Sequence, residues 1–334
     1  MAEALATSHA SEQAQITASH KTETQFAIIW RRFRHQKAGI AGIIVLVVLS
    51  ILCVVVPMLS QYGLYDVNPV QYYAPFGTTD MLVGGTHWMG TDWLGRDFMT
   101  RLFFAGRTTL FVALISTVMM VIIGAILGGV AGFYGGWVDT LLMRFTDFLL
   151  ALPLLPMFLF ALRFLRESPA LEELWKSEDS NTFITIAAIS GVFTLFGWMG
   201  LARLVRGSVL SLRTQTYIEA AHALGVSNRR IIFRHLLPNT LGPILVSGTF
   251  AVGDFIILEA VLAYFNQGIN DPPLPSWGNL IVSTQSLAFG ITDLNPFDNV
   301  RGWLFLMPAL LAVIAVLSIN YIGDALRSAL DPHR

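Results

Sequence analysis

Charge is scarce in this chain of 334 residues: Asp, Glu, Lys and Arg together make up 13% of it, about half the share that a water-soluble domain carries. So little charge cannot clothe a water-facing surface, which excludes an ordinary soluble fold. The 21 basic and 22 acidic residues leave a net charge of −1, and this excludes a strongly basic nucleic-acid binder. The single cysteine, Cys53, can form neither an intrachain disulfide nor a cysteine-based metal site. No G-x-x-x-x-G-K-[ST] run occurs, so the chain lacks the usual cradle for nucleotide phosphates. H-E-x-x-H and G-x-S-x-G are missing as well, and the seven histidines are scattered. Hydrolytic and metal-dependent catalysis is left without a centre. The prediction is therefore no enzyme, no cofactor and no bound metal.

What is abundant is apolar sequence, 54% of residues, with a mean hydropathy of +0.61. A helix needs roughly 20 mostly apolar residues to cross about 30 Å of hydrocarbon. Six runs qualify, near 38–59, 108–133, 148–162, 183–201, 241–265 and 303–322; the third is short and contains Pro153 and Pro156. The predicted fold class is an all-α membrane protein with six transmembrane helices. Residues 1–24 form a polar Ser/Thr/Ala/Gln-rich stretch, expected to be a disordered tail and not a cleavable signal. Residues 25–107 then read as an N-terminal region with the first span and an external loop, and 108–334 as a core of five spans. Just before the first span, Phe26, Ile29, Trp30 and Phe33 recur at helical spacing among Arg31, Arg32, Arg34 and Lys37. That pattern suits an interfacial helix on an anionic leaflet, or a basic stop beside a span. Both place it in the cytoplasm.

Positive charge sets the orientation. The segment between the fourth and fifth spans holds six Arg against one Glu, which predicts that it and both termini are cytoplasmic. Within the second span, Gly124, Gly128, Gly129 and Gly132 form a ridge of small residues expected to admit a neighbouring helix. Gly135 and Gly136 then break the helix ahead of Asp139, Arg144 and Asp147, in a short connection. Arg203 and Arg206 lie below the fourth span and are expected to meet the leaflet or a partner protein. In the fifth span, Asp254 and Glu259 are acids at membrane depth. Each should face the bundle interior, a partner or a wet cavity, and at about 100° per residue they sit about 140° apart.

The cytoplasmic segment from Thr216 to Asn239 is punctuated as helix, elbow, helix: good helix formers lead into Gly225, Ser227 follows as a cap, and the second helix is expected to stop before Pro238. A compact basic unit of this kind suits either an acidic lipid surface or a groove on a partner. Its Glu219-Ala220-Ala221, the Gly225 that follows and Leu237-Pro238-Asn239 resemble the EAA loop of permease subunits of ATP-binding-cassette importers. His87 to Asp97, Gly135 to Asp139, Ala202 to Gly207, Pro275 to Gly278 and Gly323 to Arg327 are similar to the dipeptide/oligopeptide type of that family, the binding-protein-dependent transport system inner membrane components. Two stretches depart from it: Val261 to Gly268 replaces the usual run, and Arg163 to Asn181 is longer and more acidic.

The resemblance implies a translocation path for di- and oligopeptides or similar small solutes, nickel complexes or sugars among them. It implies as partners a second homologous permease subunit, two cytoplasmic ATP-binding subunits and an extracytoplasmic substrate-binding protein, in a bacterial plasma membrane. The coupling loop would span about 202–240, with Tyr217, Glu219, Ala220, Ala221, Leu224, Gly225, Arg229, Arg230 and Pro238 meeting the ATPase. Asp254 and Glu259 are the candidates for the path: Asp254 facing a peptide amino group or a neighbouring helix, Glu259 structural or gate-associated. An ion-coupled secondary carrier is the alternative, and it predicts repeated broken helices.

Overall fold

The structure is a computed structural model that describes residues 25–169, 178–269, 271–272, 274–288 and 302–330. Among these, five helices are long and apolar enough to cross a bilayer, or six if one bent pair counts as a span. A short amphipathic helix, α1 (Gln25–Arg34), leads into α2 (Lys37–Leu59), a run with no acidic or basic residue after its first position. The segment 60–97 then forms a small polar unit with one two-stranded antiparallel pair, β1 (Thr78–Thr79) and β2 (Thr86–His87), in which Thr78 faces His87. This hairpin is a minor departure from an all-helical fold.

From that unit rises α3 (Phe98–Tyr134), started by the Asp97 carboxylate, which accepts the Thr100 amide N–H at 2.8 Å. It ends where Gly135 takes φ +65°, and Gly136 at φ +54° opens α4 (Gly136–Ala151). Asp139, Arg144 and Asp147 thus lie on a helix and not in a short connection. The helix α5 (Leu154–Glu167) follows at 92° to α4. The third run is therefore the second arm of a bent pair, broken beside the first of its two prolines. Pro153 has no N–H and crowds the residue before it, so Leu152 is extended at ψ 143° and the axis turns there.

The longest remaining helix, α6 (Glu178–Leu212), packs along α3. The small-residue ridge makes that possible. A Cβ on Gly128 would sit 2.3 Å from the Ala202 carbonyl, and one on Gly132 would sit 2.9 Å from that of Arg206. Gly129 turns the other way, toward Leu237. On the far side of α6, α5 folds back through Phe158, whose ring meets Phe193 and Phe196 edge-on at 5.8 and 5.2 Å; Phe193 in turn stacks on Phe255 at 5.0 Å.

The elbow comprises α7 (Thr216–Ala223), α8 (Asn228–Ile231), a π-helical turn Ile232–Leu236 and the single turn α9 (Leu237–Asn239). It feeds α10 (Leu241–Tyr264), then α11 (Trp277–Ala288) and α12 (Gly302–Leu330). The last packs against both α10 and α2. Two expectations for the elbow change. The Ser227 side chain makes no capping hydrogen bond, and the helical path runs through Pro238 instead of ending before it. The π turn lets it do so: the Leu237 N–H bonds back to the Ile232 carbonyl, and the widened turn relieves the register that Pro238, without an N–H, cannot complete.

A bulky side chain at Gly128 should force α3 and α6 apart. Gly128→Leu is expected to destabilise the solubilised protein by about 1–3 kcal/mol or more, read as a fall in its thermal midpoint. Gly200→Leu, at a position on α6 with no neighbour within 4 Å, should leave the midpoint nearly unchanged; equal losses would refute the packing role.

Candidate functional site

In the elbow, α7 ends in a complete Schellman arrangement: Gly225 at φ +73° donates its N–H to the His222 carbonyl at 2.9 Å, and the Val226 N–H reaches the Ala221 carbonyl at 3.1 Å. Ile218, Ile231 and Leu236 are each 0% exposed. They nail both arms of the elbow to the bundle. Outward, Tyr217, Ala220 and Leu224 are exposed, and their i, i+3, i+7 spacing puts them on one face of α7. Leu224, at 83% exposure, is an apolar side chain with almost nothing covering it. The Glu219 carboxylate is exposed and has no partner among the described residues. Ala221 is half-buried and packs inward, Pro238 is exposed, and Arg229 and Arg230 share with Ser227, Phe233 and Arg234 a cleft of about 410 Å³. Every residue assigned to the coupling surface except Ala221 is thus exposed on this unit.

The elbow is braced from above. Arg213 donates to the Gly132 and Phe133 carbonyls at 3.2 and 3.3 Å, where a cation suits the end of α3. The Phe133 ring stacks on His222 at 5.7 Å. Arg206 forks onto Asp139, and Arg203 pairs with Asp147. Both arginines thus form ion pairs to α4 within the chain, and the Arg203 side chain stays 46% exposed while it does so. Their i, i+3 spacing on α6 matches two acids on the next helix.

The two acids of the fifth span part company. Asp254 is exposed on α10 and has no hydrogen-bond or ionic partner among the described residues. Glu259 is 1% exposed and accepts the Ser276 hydroxyl at 2.7 Å. It seats the turn before α11, and a Cβ on Gly278 would fall 2.8 Å from its other oxygen. Trp277 locks the same turn onto α3, its amide donating to Thr109 at 3.0 Å and its indole N–H to the Leu102 carbonyl at 3.1 Å.

Sequence reasoning missed the ionic knot at the other end. Arg101, 1% exposed, sits 3.2 Å from Asp92 and donates to Asp271 and, at 3.2 Å, to the Leu64 carbonyl. Arg96 holds the same Asp92 at 2.7 Å. Nearby, Arg166 donates to the Asn266, Gln267 and Gly268 carbonyls at the end of α10. The only sequence signal was an arginine at the head of an apolar helix. In the same unit His87 lies between Asp97 at 2.9 Å and Asp80 at 3.2 Å. Burial acts to raise the Asp80 pKa, but the Leu82 and Val83 amides, at 2.7 and 3.1 Å, and the His87 ring outweigh it and hold the carboxyl below its ordinary value.

A helical, membrane-integral subunit with a rigid elbow left uncovered at one end defines a class of protein built to work with partners. The comparisons name that class. The family model for binding-protein-dependent transport system inner membrane components matches residues 120–334, and that for the N-terminal TM domain of oligopeptide transport permease C matches 24–75. The chain belongs to the family of binding-protein-dependent transport system inner membrane components. It is similar to the oligopeptide transport system permease protein OppC of Bacillus subtilis, 33% identical over 90% of this chain and 87% of that one. It is also 33% identical to the dipeptide transport system permease protein DppC of Alkalihalophilus pseudofirmus over 91% and 88%. The glutathione transport system permease protein GsiD of Pectobacterium atrosepticum is 32% identical over 92% and 91%. The chain is thus a multi-pass transport subunit of the inner membrane and not an enzyme, and the ion-coupled carrier is set aside.

Removing Arg101 would leave the buried Asp271 carboxylate without its cation and Asp92 with Arg96 alone. Arg101→Met is expected to destabilise the protein by about 3–5 kcal/mol and to open 60–97 to protease. Arg101→Met combined with Asp271→Leu should lose less than the two single losses added, which a thermal double-mutant cycle will show. Acid acts on the same unit. With its pKa lowered, Asp80 contributes fully above the ordinary value of 3.8 and loses that contribution as pH falls through the folded value. Amide exchange across 60–97 should therefore speed up in acid beyond its chemical rate, and Asp80→Asn should flatten that response.

Proposed function

We propose that this subunit, with a second homologous permease subunit, lines the path of an ATP-binding-cassette importer for di- and oligopeptides, and that α7 docks it onto one of two cytoplasmic ATP-binding subunits. An extracytoplasmic substrate-binding protein delivers the cargo to the 60–97 end. Both termini and the elbow are cytoplasmic, as the arginine excess around the elbow favours. The observation that carries the coupling role is the uncovered stripe of Tyr217, Ala220 and Leu224 on a helix that is anchored on its other side by the fully buried Ile218. An apolar i, i+3, i+7 stripe suits a hydrophobic groove on a partner. The free Glu219 carboxylate supplies a directional polar contact beside it, and the arginine-lined cleft suits an acidic rim.

Coupling then follows from stiffness. ATP-driven closure of the two ATPases displaces both elbows, and because the anchors of each elbow are core residues the displacement passes into α6 and α10 instead of dissipating in a loop. Gly225 fixes the angle between the arms, since a side chain at its positive φ is strained. Peptide cargo is supported by the names of the relatives, which transport oligopeptides, dipeptides and glutathione. Of the two acids, Asp254 is the one proposed to face the path, where an exposed carboxylate in an apolar span suits a peptide ammonium group. Glu259 is proposed to hold the turn that borders it.

Uptake of labelled di- and oligopeptides into proteoliposomes holding the complete complex tests this reading. Wild-type uptake is expected to need ATP and all partners, and Gly225→Pro, which cannot adopt a positive φ, should insert yet lose at least nine-tenths of it. Normal uptake by that variant would show that the elbow does not couple; uptake by this chain alone would overturn the importer assignment.

A further inference from the structure

At the elbow end of the bundle, α1 is fixed at the mouth of a span that the rest of the chain hardly covers. Among the 23 residues of α2 only Gly39, Gly42, Leu49 and Cys53 are buried, while Ile44, Val47, Val48, Ile51 and Val54 stand out at 43–57% exposure. At 1.5 Å per residue α2 is about 34 Å long, close to the thickness of the hydrocarbon layer. Lys37, its first residue, therefore lies at headgroup depth, and α1 lies at or beyond it.

The orientation of α1 is set by protein. Phe33, 5% exposed, packs on Ala325 and Ala329 of α12, with Ile29, Ile40, Ile322 and Leu326 around it. Gly39 admits Ala325 so closely that a Cβ there would fall 2.3 Å from it. With Phe33 turned inward, helical geometry turns Arg31 and Arg34 outward, while Trp30, one turn before Phe33, keeps to the edge of its face. All three are exposed, as is Lys37. The Trp30 ring lies parallel to Phe33 at 6.0 Å, which holds it at the border of the apolar and cationic faces. No acidic residue occurs between Gln25 and Leu59.

We propose that Trp30, Arg31, Arg34 and Lys37 form a binding surface for anionic phospholipid headgroups, held rigidly to α12 by Phe33. Guanidinium forks match phosphate oxygens, an indole favours the headgroup layer, and each cation at an anionic surface strengthens attachment roughly fivefold. Rigidity is what separates this from a basic stop sequence. The other side of the same α12 terminus places Leu330 against Gly242, the second residue of α10, directly after the elbow. A lipid bound on α1 thus braces the helix that backs the coupling segment.

Two readouts test the surface in the complete complex. The first is phosphatidylglycerol retained by the detergent-solubilised complex after washing, which is independent of cargo and of the importer reading. The triple variant Arg31→Gln, Arg34→Gln, Lys37→Gln should retain at least tenfold less at the same site, while Arg31→Lys with Arg34→Lys should retain most of it. The second is ATP-driven uptake in phosphatidylcholine vesicles with and without about a third phosphatidylglycerol. The anionic lipid should raise wild-type uptake severalfold; the triple variant should keep the basal rate and lose the increase. Phe33→Ala should bind lipid yet lose the increase. Equal retention by wild type and triple variant overturns the proposal, and so does an undiminished lipid response in the triple variant. A complex that binds lipid as expected but moves no peptide leaves this surface standing and condemns the cargo assignment alone.

Discussion

Two long helices in backbone contact are the constraint from which the rest of this molecule follows. In hydrocarbon, water gives helices no reason to associate, and packing must hold them. The approach of α3 to the Ala202 and Arg206 carbonyls along a glycine face supplies that packing. Everything functional is then hung from the ends of the pair. At one end α3 presents its last carbonyls to Arg213 and its Phe133 ring to His222, and the elbow is squared against it. At the other end the same helix carries Asp97, Arg101 and the groove for Trp277.

The two ends treat charge in opposite ways. Around Arg101 the ionic groups are buried and answered within the chain, by Asp92 and Asp271 for Arg101 and by backbone carbonyls for Arg166. Such a knot specifies one arrangement because breaking it leaves charge without water or partner. At the elbow, Glu219, Arg229 and Arg230 stand in solvent beside exposed Leu224. One end is finished and the other is an offer. The contrast fits a subunit whose coupling surface is completed by another chain.

How much could be read beforehand depended on whether the relevant contact was local. Span positions, the breaks at Gly135 and Gly225 and the close-packing ridge are short-range properties of glycine and apolar periodicity, and they were legible. The 92° turn at Pro153 was signalled only as a short, proline-bearing run, because hydropathy counts residues and not axes. Passage of the helix through Pro238 was misjudged: a proline rule assumes a regular α register, and the π turn suspends it. Arg203 and Arg206 were read as charges facing outward because their partners on α4 lie 56 and 67 residues away. In the site itself Gly225 was legible, and so was a structural part for Glu259 distinct from that of Asp254; the partner that holds the glutamate, a serine 17 residues downstream, was not.

The pairing of Arg101 with Asp271 spans 170 residues, and that separation fixes an order of events during synthesis. At about 5–20 residues per second, the arginine leaves the ribosome some 10–30 seconds before its carboxylate exists. Through that interval Arg101 has Asp92 within its own part of the chain but not Asp271. The 60–97 unit can become rigid only after α10 has crossed the bilayer and delivered the turn beyond it. The last strong contact of this unit is thus also a report that α10 is in place.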